Sequence, residues 1–82
     1  MDIEIGTMKI YPNPFSQRTT VEFPNPEMSE YRVIVRDLSG KAVIVDRTNS
    51  DRIIIKRNNL PAGIYSIELA GEKIYHDRFI TK

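Results

Sequence analysis

The sequence predicts an all-β domain, an immunoglobulin-like or fibronectin-like antiparallel sandwich of about seven strands, on three observations. Apolar residues alternate with polar ones in several short runs, the period of a strand with one face on a core. Turn signals rich in Pro, Gly, Asn and Ser recur about every ten residues, and no stretch shows a helical period. The third is Leu60-Pro61-Ala62-Gly63-Ile64-Tyr65, a leucine, a proline turn and a tyrosine entering a strand, the layout of a tyrosine corner in which a buried ring sends its hydroxyl to upstream backbone. A five-stranded barrel is the alternative architecture.

Residues 1–7 read as a linker or an expression-derived start, ahead of a domain over 8–82. Met8 to Tyr11 is a short first strand, stopped by Pro12-Asn13-Pro14-Phe15. Two prolines one residue apart cannot donate to a ladder, so the segment is a rigid corner, with Phe15 folding back over the end of the core. In Thr19-Thr20-Val21-Glu22-Phe23 the inward face is Thr19, Val21 and Phe23, and Pro24-Asn25-Pro26 ends the run. Tyr31 to Asp37 alternates most cleanly, with Tyr31, Val33 and Val35 inward and Arg32 and Arg36 outward.

Asp37-Leu38-Ser39-Gly40-Lys41 is a hairpin turn, and Ala42 to Val45 returns antiparallel before a polar loop over Asp46 to Ser50. Ile53-Ile54-Ile55 is strand by its β-branched content, with Ile53 and Ile55 inward. Pro61 and Gly63 then turn the chain: proline fixes its own φ and glycine accepts a positive one. Beyond them Tyr65, Ile67 and Leu69 share a face. After Ala70-Gly71-Glu72, Lys73 to Lys82 is the last strand, with Tyr75 and Phe79 inward.

Eighty-two residues, 40% hydrophobic and 28% charged, describe one domain with a modest core. No apolar run approaches the roughly 20 residues of a spanning helix, and the start has neither a basic n-region nor an apolar h-region. If the domain is part of a longer protein, an export signal belongs to the part before it. The net charge is +1 with scattered arginines, each near an acid in sequence, so no clustered basic face suggests nucleic acid. Without cysteine there is no thiol chemistry and no disulfide, which suits passage through an oxidising compartment.

Nothing in the chain points to turnover, a cofactor or a small-molecule substrate. His76 is the only histidine and reads as a plain strand residue, while Ser16, Ser29, Ser39, Ser50 and Ser66 have no histidine placed to activate them. Asp46, Asp51 and the neighbouring asparagines lack the spacing of a metal loop. Gly40-Lys41 lacks the upstream glycine of a phosphate cradle. A spacer, a binder and a recognised module remain, and composition does not choose among them.

Several segments in order do. Ile10-Tyr11-Pro12-Asn13-Pro14-Phe15, Thr20 to Phe23, Val33 to Val43 with Asp37, Gly40 and Lys41, the Leu60 to Tyr65 turn and Arg78-Phe79-Ile80-Thr81-Lys82 together resemble the type A C-terminal sorting domain of the type IX secretion system of Bacteroidota. The resemblance covers about seventy residues. Arg78 stands where lysine is commoner, Phe79 where a smaller aliphatic is usual, Thr81 is polar, and Arg57 replaces an apolar strand residue.

This resemblance implies a signal made of folded structure. A passenger domain on the N-terminal side reaches the periplasm, an outer-membrane translocon with its shuttle components recognises the sorting domain, and a sortase-like cysteine peptidase removes it, leaving the passenger at the surface or secreted. Pro12, Asn13, Pro14, Asp37, Gly40, Lys41, Leu60, Pro61, Gly63 and Tyr65 are then expected mainly to build turns, with Tyr65 a corner anchor. Recognition falls to Arg78, Phe79, Ile80, Thr81 and Lys82, read as an exposed edge strand open to strand addition or self-association. The rival is an adhesion-like spacer or carbohydrate-binding module, which would present a platform of exposed aromatics.

Overall fold

Period-two patterning governs the architecture, because each strand must turn one set of side chains away from water. A computed structural model describes residues 3–4 and 8–82. Its strands are β1 (Ile3–Glu4), β2 (Lys9–Tyr11), β3 (Arg18–Glu22), β4 (Tyr31–Arg36), β5 (Ala42–Thr48), β6 (Arg52–Lys56), β7 (Gly63–Ala70) and β8 (Ile74–Thr81). They form two sheets, ordered β1-β8-β7-β4-β5 and β2-β3-β6. All seven expected strands are present and pair antiparallel.

The eighth strand was not anticipated. Ile3 and Glu4, inside the segment read as a linker, pair parallel with Ile74 and Tyr75; the rest of residues 1–7 lies outside the described residues.

The core is the one the alternation predicts. Val21, Phe23 and Ile55 from the small-sheet side face Tyr31, Val33, Val35, Tyr65, Ile67, Leu69, Tyr75 and Phe79, and Ile53 packs half-buried beside them. Each end is closed by aromatics. Phe23, Tyr31 and Tyr75 meet with ring centroids 4.9, 5.6 and 6.0 Å apart at one end, while Phe15, Phe79 and Tyr65 meet at the other.

One local expectation is corrected. Strand β5 continues to Thr48 through what reads as a polar loop, because Asp46, Arg47 and Thr48 keep register with Val33, Arg32 and Tyr31. Polar side chains suffice there, since β5 is the outer strand of its sheet and its far edge meets solvent. Pro24-Asn25-Pro26 ends β3 as a loop, and its asparagine is buried. Asn25 is 5% exposed, donating to the carbonyls of Ser29 and Ser50 at 2.9 and 3.1 Å and accepting the Ser29 N–H at 3.0 Å. A buried amide with that many partners offsets its own desolvation.

Candidate functional site

The last strand brings the Pro12 to Phe15 corner and the Leu60 to Tyr65 turn to one end of the sandwich. Antiparallel pairing sets Thr81 opposite Gly63 and Phe79 opposite Tyr65, so the terminal segment lies along the Leu60 to Tyr65 turn. On its other side Phe15 bridges to Thr81. The Phe15 N–H donates to the Ile80 carbonyl at 3.0 Å and the Lys82 N–H to the Phe15 carbonyl at 2.9 Å. Asn13 completes the clasp: its side-chain oxygen accepts the Ile80 N–H at 2.9 Å. Both X-Pro peptides of the corner, Tyr11-Pro12 and Asn13-Pro14, are cis.

A single carbonyl organises the turn. Pro61 accepts the Tyr65 hydroxyl at 2.6 Å and the Thr81 hydroxyl at 2.9 Å. Thr81 Oγ1 in turn accepts the Gly63 N–H at 2.9 Å. The expected tyrosine corner is therefore formed, and the terminal strand is part of it. The Phe79 ring lies between those of Phe15 and Tyr65, 5.4 and 5.7 Å away. Arg57 donates to the carbonyls of Leu60 and Ser16 at 3.0 and 3.3 Å, fastening the turn to the chain beyond Phe15. Its guanidinium is thus held by carbonyls rather than by an acid.

The hairpin of the third motif, Asp37 to Lys41, faces this junction across a hollow of about 330 Å³, lined among others by Asp37, Leu38, Pro61 and Ile64. Asp37 holds the hairpin together. Its carboxylate accepts the Ser39 hydroxyl at 2.6 Å and the N–H groups of Ser39 and Lys41 at 2.9 and 3.1 Å. The Ser39 hydroxyl, followed by the backbone donors, lowers the Asp37 pKa below its ordinary value. Gly40 takes φ +91°, where an L side chain is strained. Gly63, at φ +159° with open space around a notional Cβ, needs glycine less strictly; its N–H bond to Thr81 is the firmer contribution. Gly71, in the connection between β7 and β8, leaves no room for a side chain: a Cβ there would lie 2.8 Å from the Tyr31 ring and 2.9 Å from the Glu30 carbonyl oxygen.

The candidate recognition residues divide. Arg78, Ile80 and Lys82 present side chains to solvent, whereas Phe79 and Thr81 are 0% and 2% exposed. The expectation of an open terminal edge is corrected, because Asn13 and Phe15 take up the outward backbone groups of Ile80 and the Lys82 N–H. Ile74 and Tyr75 pair with β1. At the opposite side of this sheet β5 is an edge along its whole length, and it carries an irregularity near Arg36 and the charged Asp46 in register with core Val33. Both features discourage edge-to-edge pairing.

Fold and motif junction together define an immunoglobulin-like sandwich in which separated sequence motifs form one end. The model of the secretion system C-terminal sorting domain family matches residues 9–82, and the chain belongs to that family, the sorting domains of type IX secretion. Among solved structures it is similar to PorZ, described as an essential bacterial surface component of the type IX secretion system of Porphyromonas gingivalis. The identity is 15% and the TM-score 0.73, over 92% of this chain but 11% of PorZ, so the chain spans a small part of that protein's length. A DUF3244 family protein from Bacteroides vulgatus with an immunoglobulin-like β-sandwich fold has a TM-score of 0.71 at 20% identity, over 93% of this chain and 84% of that one. No curated protein sequence matches.

Proposed function

We propose that the chain is a folded export signal, recognised by the outer-membrane translocon of type IX secretion and its shuttle components. It directs a passenger on its N-terminal side out of the periplasm to the surface or the medium, and a sortase-like cysteine peptidase then removes it. The observation that carries this reading is the meeting of three of the family's motif segments, the Pro12 to Phe15 corner, the Leu60 to Tyr65 turn and the terminal strand, at one junction. Asn13 and Ile80 lie 67 positions apart in sequence, so the junction exists only in the folded domain. Within it Arg78, Ile80 and Lys82 are the terminal side chains a partner can touch.

The chain meets the far end of the sandwich at Ile3 and Glu4, beside Ile74. From there β8 covers roughly 23 Å to the junction, at about 3.3 Å per residue. A passenger attached at that end leaves the junction clear. An adhesive or glycan-binding reading is disfavoured, since Tyr11, 45% exposed, is the one aromatic of the sequence that is not buried.

The decisive experiment places residues 1–82 behind a periplasm-targeted fluorescent protein, in a host with the translocon and in one without it. Extracellular or surface fluorescence in the first host only is expected. Retention in both refutes the reading. Truncating residues 78–82 would also remove Phe79 and Thr81 from the core, so recognition is tested with Arg78→Glu and Lys82→Glu, which leave packing intact.

A further inference from the structure

Strand register fixes which side chains share the outward face of the large sheet. Ile80 lies beside Ile64; Arg78 beside Ser66 and Arg36; His76 beside Glu68, Ile34 and Val45; and Ile74 beside Ala70, Arg32 and Arg47. The face holds four arginines against one glutamate. Ile64, Ile80 and Val45 are 40%, 42% and 65% exposed, unusual for a solvated sheet face. Arg36 is paired with Glu68 at 2.9 Å and Arg47 with Glu30 at 3.6 Å. Arg32 and Arg78 meet no acid within ion-pair distance among the described residues.

We propose that this face is a docking surface for an acidic protein partner, with Arg32 and Arg78 pairing its carboxylates and the aliphatic rows packing between them. The proposal rests on the export-signal reading and extends its contact surface from the terminal strand across β7, β4 and β5. Net charge alone does not select this face. The outward side of the small sheet, with Lys9, Arg18, Arg52 and Lys56 against Glu22, is equally basic. The difference is extent: the small sheet exposes Ile54 and Tyr11 and carries two arginines with two lysines, whereas the large sheet carries four arginines and three exposed aliphatics, Ile64, Ile80 and Val45, the side chains that interface cores favour over lysine.

A protein fits better than a lipid surface. The sheet is a twisted saddle rather than a plane, and anionic headgroups would be brought against the Glu68 carboxylate in the middle of it. Four strands at about 4.8 Å spacing and some 20 Å of length give a footprint of roughly 400 Å², at the small, transient end of specific interfaces. Contacts of that size depend strongly on charge.

The two sheet faces provide an internal control. In the reporter of the preceding section, Arg32→Glu combined with Arg78→Glu is expected to slow export about ten-fold or more, and Lys56→Glu to leave it unchanged, with equal thermal midpoints for all three proteins. A photo-crosslinking residue at Val45 is expected to give an adduct with an acidic protein that disappears in Arg32→Glu; one at Ile54 gives none. Equal effects of Lys56→Glu and the arginine pair, a lipid adduct, or no adduct at Val45 overturns the inference. Export of the unaltered reporter decides the underlying reading separately. If it is exported and the arginine variant behaves as wild type, the docking surface falls, and with it the part of Arg78 in recognition, while the export-signal reading stands.

Discussion

Removing the Tyr65 hydroxyl tests the junction most directly, because its acceptor is shared. In Tyr65→Phe the Pro61 carbonyl keeps the Thr81 hydroxyl as a donor, so the loss is that of one net hydrogen bond, about 0.5–1.5 kcal/mol. Thr81→Val removes the other donor and also strands the Gly63 N–H that Thr81 accepts, at about 1–3 kcal/mol. The double variant leaves the carbonyl with neither hydroxyl, beside two side chains that are 4% and 2% exposed in the native domain. Its cost exceeds the sum of the singles by about 0.5–1.5 kcal/mol, as expected for groups sharing one partner. For a domain this small 1 kcal/mol moves Tm by about 4–8 °C. Urea unfolding of the four proteins, followed by circular dichroism, gives the cycle. An unchanged midpoint for Tyr65→Phe, or strict additivity in the double variant, refutes the shared-acceptor argument.

Three other perturbations follow from the same structure. Phe15→Ala empties a position 1% exposed against Phe79; a loss of about 3–5 kcal/mol is expected in the unfolding free energy, close to the whole stability of a small domain. Gly71→Ala drives a Cβ into the Tyr31 ring and the Glu30 carbonyl and is expected to cost about 1–3 kcal/mol by overpacking, read from the denaturation midpoint. Asp37 has a folded pKa below its ordinary value, so its stabilisation of the hairpin is complete above the ordinary value and is lost as pH falls through the folded one. Protection of the Ser39 and Lys41 amides relative to their intrinsic exchange rates should therefore fall toward acid, and Asp37→Asn should abolish that pH dependence.

The strands were legible wherever one face is buried and the other is not. Tyr31-Val33-Val35 and Tyr65-Ile67-Leu69 advertise their inward faces because water penalises any other register. The tyrosine corner was legible too, since Pro61 and Tyr65 lie four residues apart. What stayed hidden depends on partners distant in the chain. Asn13 suits a turn by its local chemistry, and nothing near it announces that its side chain will serve the N–H of Ile80. Gly71 resembles any hairpin glycine until the Tyr31 ring is in place. Strand β5 past Val45 has no apolar alternation because it needs none at an edge. Asn25 gives no sign between its prolines of being a buried hub.

These long-range bonds bear on what kind of signal the domain carries. A linear tag exposes its information in every conformation; here Asn13, Phe15, Pro61, Phe79 and Thr81 are committed to one another, and the side chains left for a partner are the neighbours they position. Arg78 and Ile80 project outward because Phe79 and Thr81 are drawn inward, a consequence of the two-residue period of β8. Ile64 stands beside Ile80 because the corner fixes where β7 begins. Loss of the junction would therefore scatter the exposed residues without altering one of them. Phe15→Ala and the paired reversal of Arg32 and Arg78 should both impair export, the first with the fold lost and the second with it intact. A reporter that remained exportable with Phe15→Ala while its sorting domain was unfolded would show that the terminal residues are read as a linear tag.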